Sequence, residues 1–308
     1  MSGTEIFLEF ILFPGLLFTA LAGLITSWVD RKVTAMVQMR VGPPLLQPLY
    51  DLRKLLIKET CVPEGGAIGL FLVAPLIGFA GVTLASMILW RSLLNVEATF
   101  VGDLIVVIYL LVMPALGVIL GSFASRNPLA SIGGSREIKL MVAYELPLVL
   151  AVLVPVIQAG SIRLGDLVAA PSPAATVSGV LALLVCIACM QAKLTIVPFD
   201  MPEAETELSG GALIEYSGPP LAVFKLTRAM MLFTLPVLLA ALFFGGAMTA
   251  PGWWPKVLGL LVWFVLVALT IVIRNTTPRV RTDQAVKFFW GPVSAVAVIA
   301  VVLAWAGF

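Results

Sequence analysis

Eight long stretches of the chain contain no charged residue, and they set its organisation. Residues 10–29, 65–90, 104–125, 146–162, 167–192, 229–255, 257–273 and 288–308 carry no Asp, Glu, Lys or Arg. They are 20, 26, 22, 17, 26, 27, 17 and 21 residues long, and all 36 charges fall in the remaining 132 residues. A helix needs ~20 apolar residues to cross the hydrocarbon core, with ~17–25 tolerated. A spanning segment must satisfy its own backbone hydrogen bonds, so these stretches are read as helices. The alternation over ~9–11 residues that marks a barrel strand is missing. The pattern therefore predicts an all-α polytopic membrane protein, with eight transmembrane helices in one transmembrane domain over 1–308.

Loop charge sets the orientation. Fourteen Lys and Arg residues fall in the odd-numbered loops, whereas only Arg91, Arg163 and Lys256 fall in the even ones. Lys225 and Arg228 stand at the start of the sixth stretch. Basic residues accumulate in cytoplasmic loops, so the odd loops face the cytoplasm and both termini the outer side. Glu5 and Glu9 occupy the place of a basic n-region, which argues against a signal peptide.

Two cytoplasmic segments gather the polar residues. The first, 30–64, begins DRKVTAMVQMRVGPP and continues LLQPLYDLRKLLIKE. Over 45–58, Leu45, Leu46, Leu49, Leu52, Leu55 and Leu56 fall at helical spacing, with Asp51, Arg53, Lys54 and Lys58 around the rest of the circumference. That run is too short to span, so it reads as an amphipathic surface helix; a solvated basic loop is the competing reading. Gly42-Pro43-Pro44 breaks the chain ahead of it.

The second segment, 193–218, reads KLTIVPFDMPEAETELSGGALIEYSG and sets Asp200, Glu203, Glu205, Glu207 and Glu215 against Lys193 alone. It is either a solvated acidic loop or a packed one. Pro198, Phe199, Met201 and Pro202 interleave the acids with rigid and apolar residues, unlike a disordered tract. Packed carboxylates in a low-dielectric site titrate together and can hold and pass protons. Glu145 stands at the edge of the fourth stretch, near Lys139 and Tyr144. An ionisable residue at membrane depth is a functional candidate, and pairing to an interfacial Lys or Arg is the structural alternative.

Composition narrows the chemistry. The chain is 60% hydrophobic and 12% charged, with mean hydropathy +1.08. It contains no His, which excludes bis-His haem, His-ligated metal and a His base. Three Cys cannot ligate a four-thiolate cluster. A net charge of +2 offers no field for nucleic acid. Cys186-x-x-Cys189 lies inside a stretch, where packed thiols are inert. The Gly pairs lack the strand context of a nucleotide loop, and no internal repeat is visible.

The two cytoplasmic motifs resemble the signatures of the complex I chain 1 family, also known as the H subunits. Asp30-Arg31-Lys32, Arg40, Gly42-Pro43, Leu46-Gln47-Pro48, Asp51 and Lys54 match the first signature; PFDMPEAETEL followed by EYSG matches the second. GGSREIKLMVAYELPL looks like the family's fourth helix and its approach. The resemblance implies that Asp200, Glu203, Glu205, Glu207 and Glu215 begin a proton relay. Glu145 continues it into the membrane, with Lys139 and Tyr144 beside it. It also implies that Asp30, Arg31, Lys32, Arg40, Gln47, Asp51 and Lys54 lie at the junction with a peripheral arm.

Quinone-reducing relatives carry extra residues between RxGP and LQP. Here Pro43-Pro44 runs directly into Leu45-Leu46-Gln47-Pro48, a form similar to the group 4 membrane-bound NiFe hydrogenases and their relatives. The resemblance thus implies no cofactor in this chain, with the NiFe centre and iron–sulfur clusters in partner subunits. Expected partners are hydrogenase large and small subunits, iron–sulfur subunits and antiporter-like membrane subunits in a prokaryotic cytoplasmic membrane. A quinone-, methanophenazine- or sulfur-reducing relative, and a stand-alone ion transporter, are the alternatives.

Overall fold

A computed structural model describes residues 3–249 and 252–308, and the side chains of residues 3–6, 205 and 206 fall outside what it describes. Among the described residues, seven helical segments are long and apolar enough to cross a membrane: Phe7–Val37, Ile68–Leu94, Asp103–Ala124, Pro128–Ala159, Gly218–Met248, Trp254–Thr276 and Thr282–Trp305. Within them and between them run α1 (Gly3–Ile11), α2 (Leu16–Val37), α3 (Gln47–Ile57), α4 (Ile68–Leu94), α5 (Asp103–Leu110), α6 (Met113–Ala124) and α7 (Pro128–Ala159). The chain continues through α8 (Leu164–Ala169), α9 (Val177–Lys193), α10 (Glu205–Leu208), α11 (Gly218–Met248), α12 (Trp254–Thr276), α13 (Thr282–Phe288) and α14 (Ser294–Trp305). The described residues include no strand.

The fifth charge-free stretch is where structure and pattern part. Residues 167–192 do not form one helix. Pro171 and Pro173 stop α8, because proline cannot donate to the ladder and restricts the residue before it. The chain passes through a 3-10 turn, Pro173–Ala175, before α9 begins. Thr176 caps that start by accepting from the Gly179 N–H at 3.0 Å. At 17 residues α9 falls short of the other seven helices.

The amphipathic segment behaves as its leucine spacing requires. α3 has Pro48 in its first turn and packs against α2 and α11. Leu45, Leu46, Leu49 and Leu56 are exposed on this chain.

α11 is the central column. It packs on α2, α4 and α12, and 89% of its apolar window is buried within the chain. α4 and α6 lie close because small residues face each other. A Cβ on Gly78 would stand 2.8 Å from the Pro114 Cα, and one on Gly117 would stand 2.7 Å from the Ala74 carbonyl oxygen. Without a hydrophobic drive between helices in lipid, such close backbone packing is a main source of association. α7 starts at an Asn127 cap that accepts from the Leu129 N–H at 2.8 Å, and it ends at Gly160 in the left-handed region, φ +66°. The helix thus begins about five turns before Glu145, far outside the charge-free stretch that announced it.

Candidate functional site

The acidic segment after α9 folds as a packed strap across one end of the bundle. Its apolar residues are its anchors: Phe199, Met201, Ala204, Leu208, Ala212 and Tyr216 are each 5% exposed or less. The Phe199 ring lies 4.9 Å from Phe289. Phe289 opens a π-helical turn over Phe289–Val293 that contains Pro292. Gln191 donates to the Val197 carbonyl at 2.7 Å, and the Val280 N–H donates to the Pro198 carbonyl at 3.1 Å. At the far end Tyr216 stacks on Phe71 at 4.0 Å and donates to the Phe71 carbonyl at 2.9 Å. Burial pushes the Tyr216 phenol well above its ordinary pKa, so it stays a donor at any physiological pH.

Glycine seats the strap on α7. A Cβ on Gly133 would come within 2.5 Å of the Ala212 nitrogen and 2.9 Å of the Pro202 carbonyl oxygen. Glu137, one helical turn on, therefore lies beneath the strap.

The acids do not face one another as a bare cluster. The sequence set them against Lys193 alone, whereas the fold brings each described one a partner from a different element. Asp200 pairs with Arg279 at 2.8 Å, Glu207 with Arg136 of α7 at 2.6 Å, and Glu203 with Arg228 of α11. Glu215 accepts from the Asn127 amide at 2.5 Å. Glu145 accepts from Lys193 at 2.6 Å, with side chains 25% and 2% exposed. The Glu205 side chain lies outside the described residues. Lys139, expected beside Glu145, instead lines an outer cleft with Asp200, Glu207, Arg136 and Arg279. Tyr144 is fully buried; its ring lies 5.3 Å from the Lys193 Nζ, and its hydroxyl has no hydrogen-bond partner among the described residues.

These pairs connect three cavities. The outer cleft holds about 470 Å³. The Asp200–Arg279 pair also borders a second cleft of about 480 Å³, which contains Asp30, Arg31, Lys225 and Arg274. The Glu203–Arg228 pair and Lys225 border both that cleft and a third space of about 330 Å³, where Glu137 and Lys193 meet it. Beyond Lys193 the walls turn apolar, with Cys186, Met190, Leu235 and Leu238 around only about 20 Å³. Polar lining thus continues from the outer cleft as far as Lys193, the partner of Glu145. Among the described residues, no group of three or more His, Cys, Asp or Glu could hold a metal ion.

The residues matched to the peripheral-arm junction serve partly as internal clamps. Asp30 pairs with Arg274 at 2.8 Å. Arg31 pairs with Asp51 at 2.6 Å, and Gln47 donates to Asp51 at 2.9 Å. Burial pushes the Asp51 carboxyl up, but the hydrogen bonds from Arg31 and Gln47 and the charges of Arg31 and Lys54 outweigh it. The net pKa falls below the ordinary value. The Lys32 stem lies against Gly42, where a Cβ would stand 2.5 Å from it. Arg40 and Lys54 are exposed.

Sequence reasoning missed Glu137, Arg136, Arg228, Arg274 and Arg279. Position was a readable signal for two of them: Arg228 and Arg274 each adjoin a charge-free stretch, whereas Arg136, Glu137 and Arg279 stand away from one.

Fold and site together define an all-helical polytopic membrane protein with paired ionisable residues gathered around one acidic segment. The family model described as NADH dehydrogenase matches residues 10–305. The H subunit of the NADH-quinone oxidoreductase of Geobacillus kaustophilus is 37% identical, over 90% of this chain and 88% of the relative. That of Anoxybacillus flavithermus is 36% identical, over 97% and 93%. Among solved structures, a chain of the membrane-bound sulfane sulfur reductase, an archaeal respiratory membrane complex, is similar with a TM-score of 0.85. It is 25% identical and aligned over 97% of this chain and 99% of that one. The chain belongs to the NADH dehydrogenase family of complex I H subunits, and it is a multi-pass protein of the prokaryotic cell membrane.

Proposed function

We propose that this chain is the membrane-anchor and proton-relay subunit of a multisubunit membrane-bound NiFe hydrogenase. It couples electron transfer in a peripheral arm to ion translocation by antiporter-like membrane subunits. Hydrogenase large and small subunits and iron–sulfur subunits carry the NiFe centre and clusters, and electrons come from ferredoxin or formate. α9 serves as an eighth span, 17 residues of helix helped by the apolar turn before it, and both termini face outward.

The observation that carries the relay is the row of carboxylate–cation pairs between linked polar cavities. It leads from Asp200–Arg279 through Glu203–Arg228 to Glu145–Lys193. At ~4 Å and an effective dielectric of ~20, two unit charges interact by about 4 kcal/mol. One pK unit corresponds to about 1.4 kcal/mol. A charge appearing above the strap on reduction of a cofactor is therefore felt as a change in proton occupancy. The shortened link between Pro44 and Gln47 supports the hydrogenase branch over a quinone-reducing one.

A sulfur-reducing complex is the second reading, favoured by the likeness to the sulfane sulfur reductase chain. Purification of the native complex tests both. The hydrogenase reading expects nickel and dihydrogen evolution to co-purify with this chain. Sulfane sulfur reduction by a nickel-free complex would favour the second reading and overturn the first. Ion flux through the chain reconstituted alone would overturn both.

A further inference from the structure

Resting on the relay reading, we propose that Glu137 is a proton-binding site, and that Arg228 is shared between it and Glu203 so that the two carboxyls ionise in turn. The ion this site takes is the proton, not sodium.

Glu137 is 2% exposed, and its Oε2 finds no hydrogen-bond partner among the described residues. It lines the third cavity with Glu203, Arg228, Lys225 and Lys193. A buried carboxylate with an oxygen lacking a donor, beside a second carboxylate, is unfavourable; the neutral acid is not. Arg228 is the group that can change this. It holds Glu203 and donates to the Thr195 carbonyl at 2.7 Å. Its charge acts on Asp30 and Glu137 as well as on Glu203. One guanidinium paired with one carboxylate and sharing a cavity with a second is a candidate two-state element of the kind that transmits a charge change.

The groups facing Glu137 fix the sequence of events. α6 contributes only the apolar Pro114, Ala115 and Val118 to the cavity, α11 contributes Lys225 and Arg228, α9 contributes Lys193, and the strap contributes Glu203. Tyr144 and Glu145 follow on α7 itself. Asp283 and Arg281, at the start of α13, line the outer cleft instead. In the state described, Arg228 is paired with Glu203, and in the proposed cycle Glu137 then holds the proton. A proton arriving at Glu203 from the cytoplasmic cleft neutralises that carboxylate and frees Arg228. Arg228 then pairs with Glu137, whose proton leaves to water in the cavity and on toward Glu145. One proton enters and one leaves. At ~30 Å³ per water the cavity has room for the intermediaries. Sodium has no comparable place here: Glu203 and Glu145 are already held by Arg228 and Lys193, and a sodium ion at Glu137 would lie beside both cations.

The test is redox-triggered infrared difference spectroscopy on the native complex, in sodium and in potassium buffer at equal ionic strength. The wild type should show the C=O stretch of a neutral carboxylic acid, lost in Glu137→Gln, shifted in Glu137→Asp, and unchanged by sodium. Arg228→Gln should abolish its redox response. A band unaltered in Glu137→Gln, or one that sodium titrates away, overturns the proposal. Ion translocation measured on the same preparations separates this from the wider reading. Coupling lost in Glu145→Gln but kept in Glu137→Gln, with the band unaltered, refutes Glu137 and leaves the relay standing. Coupling kept in both refutes the relay itself.

Discussion

Lys193 and Glu145 form the innermost pair of the path, and removing either partner has a consequence that can be sized. Their contact is 2.6 Å, with Lys193 2% and Glu145 25% exposed. At an effective dielectric of ~20 the attraction is about 6 kcal/mol, largely offset by several kcal/mol of desolvation for each ion. The pair is thus worth little beyond an apolar replacement. Losing one partner is a different matter, because the other charge is stranded, at a cost of about 3–5 kcal/mol. Glu145→Gln strands the more buried ion and falls at the upper end of that range. Lys193→Met strands a carboxylate a quarter exposed and falls at the lower end. The double variant strands neither and should recover about 2–3 kcal/mol of the summed losses.

Thermal melting of the purified complex, read through release of this chain, measures the cycle. At about 2 °C per kcal/mol for a chain of this size, each single variant lowers the midpoint by about 6–10 °C. The double variant should fall short of the summed losses of the two singles by about 4–6 °C. A double variant that loses the sum of the two singles would falsify the pairing, since independent sites add.

Other outcomes follow from the same contacts. Gly133→Ala should lift the strap from α7, because its Cβ meets backbone at 2.5 Å. The cost is about 1–3 kcal/mol, visible as faster amide exchange over 199–216; unchanged exchange would contradict the seating described. Asp51 has a folded pKa below its unfolded value, so its contribution to docking α3 is complete above about pH 4 and fades as pH falls through the lowered value. Its partial exposure limits Asp51→Asn to about 0.5–1 kcal/mol. Proteolysis of the 45–58 segment should therefore accelerate on acidification in the wild type and be pH-independent in that variant.

Much of the architecture was legible because hydropathy acts over whole helices. The charge-free stretches located all seven long helices, and the leucines of 45–58 located α3 to within two residues at its start. Where reading failed, local backbone chemistry decided: two prolines at 171 and 173 shorten α9 in a stretch whose composition is uniformly apolar. The site was half legible. Asp200, Glu203, Glu207 and Glu215 stood out by density, but the segment itself offers them Lys193 as its one cation. Their partners lie 71 residues away for Glu207, in Arg136, and 25 away for Glu203, in Arg228. Such pairings are products of topology and leave no periodic trace. Glu137 was invisible for a further reason. Flanked by Arg136 and Lys139, it reads as part of a solvated helix start, and only the strap laid over Gly133 buries it.

The claim that these pairs transmit electron transfer as proton movement is tested most directly by the ratio of ions translocated to electrons transferred. That ratio can be measured in inverted membrane vesicles carrying Glu203→Gln or Glu207→Gln. The account predicts that electron transfer persists in both while the ratio falls severalfold, most in Glu203→Gln, which frees Arg228. A ratio equal to wild type in both variants, at undiminished turnover, would contradict it.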